Sequence, residues 1–88
     1  MRLCDAYPLA RETRADVSLC CRAFRGWIVT ISPDPAADPV YAYRGQVVSV
    51  KAPLHTATPL ELEAARKVSI MLQSEDWEIA PPPEQQAG

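Results

Sequence analysis

The sequence predicts an α+β fold, a small antiparallel β-sheet of about four strands with one C-terminal helix packed on one face. Two stretches, residues 17–32 and 40–51, alternate in side-chain character, and each is broken by an Arg-Gly pair. A third, beginning at Thr58, shifts to helical spacing behind a set of helix-start signals. Successive strand side chains point to opposite faces, whereas a helix brings positions three and four apart onto one stripe, so the change of period marks the change of element.

"VSLCCRA", residues 17–23, places Val17, Leu19, Cys21 and Ala23 on one face and Ser18, Cys20 and Arg22 on the other. The adjacent cysteines therefore point in opposite directions, and can neither share a site nor bridge comfortably to each other. Cys21 is expected in the core and Cys20 on the solvent or second face. "FRGW" supplies a Gly-containing turn, and "WIVTIS" follows with the β-branched and aromatic residues that suit a pleated surface. Together they predict a first hairpin. "SPDPAADPV" carries three prolines, which donate no ladder hydrogen bond, and reads as a stiff loop. A second hairpin, "VYAYRGQVVSVKA", turns at Arg44-Gly45, with Val48 and Val50 alternating with Val47, Ser49 and Lys51. A four-stranded meander is the simplest topology.

"TATPLELEAARKVSIMLQSEDW" predicts a helix starting near residue 59. Thr58 caps it, Pro59 takes the first helical position, where its missing N–H costs nothing, and Glu61 completes a capping-box spacing. At ~100° per residue, Leu60, Ala64, Ala65, Val68, Met71 and Leu72 form one stripe expected to face the sheet. Glu63 and Lys67 stand at i,i+4 on the opposite side, a favourable surface pair.

The ends are less patterned. "RLCDAY" suggests a short edge strand and "PLARETRAD" a connector or a single helical turn, while Trp77 and Ile79 of "EDWEIA" share a face and suit a final strand or extended segment. "PPPEQQAG" has little with which to bury apolar surface and reads as a disordered, proline-rich tail. The expected organisation is thus a single α+β domain over residues 1–80 with a tail at 81–88.

A composition of 48% hydrophobic and 23% charged residues suits an ordinary globular chain, and a formal charge of −2 speaks against generic nucleic-acid binding, which needs an excess of cations. The charge is uneven: residues 1–33 carry a net of +2, including Arg22 and Arg25, and residues 34–88 a net of −4. No apolar run approaches the ~18 residues of a membrane span, and Asp5 and Pro8 interrupt any signal-peptide core. A cytoplasmic protein without membrane contact is expected. Three cysteines and one histidine without paired spacing make neither a disulfide framework nor a zinc motif, so free thiols are expected and no metal.

His55, in the loop before the helix, has no nucleophile motif to serve, and no phosphate-loop, dinucleotide or nucleophile-elbow pattern is present. The reading is therefore non-enzymatic, with no cofactor. Arg22, Arg25 and Arg44 belong to Arg-Gly turns that a sheet would bring to one end, where they suit an anionic partner. Leu62 and Ile70 fall roughly 135° and 145° from the centre of the helix stripe and stand out as exposed contact residues, with a homodimer seam as one possibility. Tyr41 and Tyr43 share a face of the third strand and extend the expected contact surface.

In size, acidity and want of catalytic motifs, the whole chain resembles the small single-domain inhibitors carried by phages and other mobile elements, anti-CRISPR proteins among them. The resemblance carries no site residues over. It implies a protein partner, such as a CRISPR effector or another nucleic-acid-handling complex, blocked by direct contact. A host accessory or regulatory subunit is the alternative, and a nucleic-acid-binding module using Arg22, Arg25 and Arg44 is the third.

Overall fold

The computed structural model describes residues 1–80; the expected tail at 81–88 lies outside the described residues. The elements run α1 (Ala6–Thr13), β1 (Val17–Cys21), β2 (Trp27–Ile31), β3 (Val40–Tyr43), β4 (Gln46–Val48), α2 (Pro59–Gln73) and β5 (Trp77–Ile79), with 3₁₀ turns at Leu3–Asp5 and Arg22–Phe24. The fold is α+β, built on one antiparallel sheet ordered β4-β3-β2-β1-β5. The expected meander supplies four strands, and the segment around Trp77 adds the fifth beside β1.

The sheet alternates as the sequence predicts. Leu19 and Cys21 of β1, Trp27, Val29 and Ile31 of β2, Tyr41 of β3, Val48 of β4 and Trp77 of β5 are buried in one core with Leu3, Ala6, Ala10, Ala64 and Met71. Both helices therefore lie on the same face. Trp77 anchors this core: its indole N–H donates to the Met71 carbonyl at 2.7 Å, and its ring stacks on Phe24 with centroids 5.8 Å apart.

The start of α2 is built as its sequence implies. The Thr58 hydroxyl accepts from Glu61 N–H at 3.2 Å, and Thr58 N–H donates to the Glu61 carboxylate at 3.0 Å. The Arg44-Gly45 turn joins Tyr43 to Gln46 with both central residues at positive φ, the backbone of a two-residue hairpin turn.

Several expectations need correction. "RLCDAYPLARET" forms a 3₁₀ turn running into α1, with no edge strand. Pro8 is tolerated there because first-turn N–H groups have no acceptor within the helix. β1 stops at Cys21, so Ala23 is exposed in the connection instead of facing the core. β4 ends at Val48, short of Val50. The buried stripe of α2 is also narrower than expected: Ala64 and Met71 are buried and Leu60 and Val68 pack against the core, but Ala65 is exposed and Leu72 is 47% exposed. The cause is α1, which occupies the sheet over β1 and β2 and leaves α2 a seam against β4 and the Leu3–Asp5 turn.

Candidate functional site

With both helices on one side, the other side of the sheet is open among the described residues. Its side chains are the alternate strand positions, and the register sets five of them in one row across the strands: Glu78, Cys20, Ile28, Ala42 and Val47. Beside this row run Ser18 and Thr30, whose hydroxyls lie 3.1 Å apart, and then Val40. Cys20, Ile28, Thr30 and Ala42 are half-buried by their in-plane neighbours, while Val47 is 69% exposed. From β4 to β1 these positions carry no charge; Glu78 marks the border on β5. A wet face of an antiparallel sheet ordinarily carries polar and charged residues, so an uncharged face four strands wide is a candidate contact surface.

Cys20 sits near the middle of this face. Its thiol is pushed to a higher pKa, first by burial and then by the neighbouring Glu78 carboxylate and the Cys21 thiol, so it is held protonated and of low nucleophilicity. Cys21 faces the core, its sulfur 3.8 Å from the Ser74 hydroxyl. The two neighbours are separated by the sheet itself, as their adjacency in sequence requires. Among the described residues, no three His, Cys, Asp or Glu side chains converge where a metal ion could sit.

The two Arg-Gly turns meet at one end of the sheet. Arg44 N–H donates to the Gly26 carbonyl at 2.8 Å, and the space around Gly26 is tight enough that a Cβ there would lie 3.1 Å from the Tyr43 ring. Arg22, Arg25 and Arg44 are all exposed at this end. The Arg44 guanidinium lies 5.3 Å from the centroid of Tyr43, whose other neighbour is Trp27 at 5.0 Å. Tyr43 is thus half-buried between an indole and a cation, its ring already engaged inside the molecule.

The remaining contact candidates separate. Tyr41 is only 5% exposed, which removes it from any free surface: it faces the core between Val29 and Val48. Burial raises its phenol pKa, with smaller contributions from Tyr7 and Asp38. Tyr41 and Tyr43 do share a face, but it is the face under the helices. On α2, Ile70 is 57% exposed and Leu62 half-buried, both away from the open sheet. His55 is exposed in its loop.

Comparison of the chain with known protein families, with curated proteins and with solved structures finds no match. Residue geometry therefore carries the functional argument. Ile28, Ala42 and Val47 are not among the residues the sequence singles out, because both sets of alternate positions on β1 to β4 are uncharged and only the placement of the helices tells the open face from the covered one. Among the described residues, no helix is long and apolar enough to cross a membrane.

Proposed function

We propose that this protein works by binding another protein and not by catalysis, with the open face of the sheet as its contact surface. The observation that supports this most is the uncharged row Cys20–Ile28–Ala42–Val47, which crosses four strands on the face that neither helix covers. Arg22 and Arg25 stand at one end of that face and supply charged contacts at its rim, while Arg44, at the same end, has its guanidinium over Tyr43 on the covered side. The resemblance to small mobile-element inhibitors gives the finer reading, an inhibitor that occludes a nucleic-acid-handling complex such as a CRISPR effector.

The test has two arms. Immobilised protein is expected to retain specific partners from a bacterial lysate, and Val47→Glu with Ala42→Glu to lose them while Ile70→Glu retains them. Equal retention by the sheet-face variant overturns the choice of surface. In a reconstituted effector assay, the protein is expected to lower target cleavage; unchanged cleavage removes the inhibitor reading and leaves the contact surface to the first arm.

A further inference from the structure

Resting on that reading of the open face, we infer that in the isolated protein a second copy of this chain covers it, packed sheet to sheet about a two-fold axis running across the strands, and that the target protein must displace this copy. The edges of the sheet are poor docking sites. β4 is only three residues long, and the outer edge of β5 is taken by Met1, whose amino group donates to the Trp77 carbonyl at 2.8 Å and whose carbonyl accepts from Trp77 N–H at 3.1 Å. Short and covered edges resist strand addition. The face is what remains.

Size decides what the face needs. Four strand widths of ~4.8 Å and up to five residues of ~3.4 Å make a patch of roughly 19 by 17 Å, or about 320 Å². A stable interface covers about 800 Å² on each partner, so the apolar row alone is too small and the ends of the sheet must take part.

Those ends are complementary in charge. The three ion pairs among the described residues are Arg2–Glu75, Lys51–Asp38 and Lys67–Glu63. Arg22, Arg25 and Arg44 form none of these pairs at the end where β1 meets β2 and β3 meets β4, and they outnumber Asp76 and Glu78, the carboxylates that share a pocket with Arg22 there. At the other end Asp16 before β1, Asp34 after β2 and Asp38 before β3 outnumber Arg14 and Lys51, and of the three carboxylates only Asp38 is paired, with Lys51. A two-fold axis across the strands inverts strand direction, laying the arginine end of each copy over the aspartate end of the other, twice by symmetry. An axis along the strands would set arginines on arginines. Sheets packed face to face cross at about 30°, a small enough angle to keep both ends in reach. Because exposed charges complete the interface, salt must weaken it.

Charge exchange tests this geometry on the purified full chain. By sedimentation equilibrium, the wild type is expected to show twice the mass of one chain at low salt, with its dissociation constant rising several-fold at high salt. Arg22→Glu with Arg25→Glu makes both ends acidic, and Asp16→Lys with Asp38→Lys makes both ends basic, so each variant alone is expected to be monomeric. An equimolar mixture of the two is expected to recover the dimer mass, with thermal unfolding confirming that each is folded. A mixture that stays monomeric, a wild type that is monomeric at low salt, or a dimer that survives Val47→Glu overturns the inference. If the wild type is monomeric while Val47→Glu with Ala42→Glu still abolishes lysate capture, self-association falls and the contact surface stands; if capture also survives, both fall.

Discussion

The two faces of the sheet are written by the same alternation and end in different environments. On one, Leu19, Trp27, Val29, Ile31 and Trp77 are large, apolar and sealed beneath two helices. On the other, Ser18, Cys20, Thr30 and Ala42 are small, Ile28 and Val47 are apolar, and no helix covers them. The first face stabilises the fold, since burying one large apolar side chain contributes about 1.5–3 kcal/mol. The second gives the fold little. What the contrast teaches is that the outer face meets neither of the usual demands on a strand surface: it fills no core, and it lacks the charge that keeps a wet surface solvated.

The contrast is sharpest at its extremes. Trp77→Ala is expected to cost about 3–5 kcal/mol, enough to unfold much of the population, because it removes a buried indole, its ring stacking on Phe24 and its hydrogen bond to Met71. Val47→Thr, which keeps the branched shape on the open face, is expected to change stability by no more than about 0.5 kcal/mol. Urea unfolding measures both. A large loss at Val47 at high salt and low protein concentration, where the copies are apart, would mean that the outer face is part of the monomer's core.

The adjacent cysteines read the same difference one residue apart. Cys21→Ser puts a hydroxyl into the core at a cost of about 1–3 kcal/mol, reduced by whatever bond it forms with the Ser74 hydroxyl, whereas Cys20→Ser is expected to cost less. Denaturation of the two single variants, compared under reducing conditions, checks the order. Equal losses would place Cys20 in the core as well.

The smallest effect concerns Tyr41. Its folded-state pKa lies above the ordinary tyrosine value because burial opposes ionisation. The contribution of the neutral phenol is therefore fully present below about pH 10, the unfolded value, and is lost as pH rises from there through the folded value. Tyr41→Phe is expected to flatten part of the alkaline fall in melting temperature; an unchanged slope would show that Tyr41 ionises as freely as an exposed phenol.

Most of the architecture was legible because two kinds of local signal agreed with the packing. Alternation fixed both hairpins and the opposed cysteines, and Thr58, Pro59 and Glu61 marked the start of α2. α1 was legible only as the single helical turn allowed for "PLARETRAD": Leu3, Ala6, Tyr7 and Ala10 do fall on one helical stripe, but two of them are small alanines and Pro8 stands among them, so the stripe is easily missed. That omission propagated. A lone helix would have covered more of the sheet and buried Leu72, whereas two helices sharing one face leave Leu72 in water. Tyr41 was misplaced for a related reason, since alternation pairs it with Tyr43 but does not say which side the helices take. The open face was hidden by the same ambiguity, because its residues are ordinary strand formers until the helices are assigned to the opposite side.

The claim that the helix-free face is where this chain meets its second copy is tested most directly by amide chemical shifts of the full chain followed on dilution at low salt. The expected result is concentration-dependent shifts centred on Cys20, Ile28, Ala42 and Val47, reaching the Arg22–Arg25 connection and the Asp34–Asp38 loop, with α2 unchanged. Shifts centred instead on Ile70 and Leu72, or a spectrum that does not change with concentration, would contradict it.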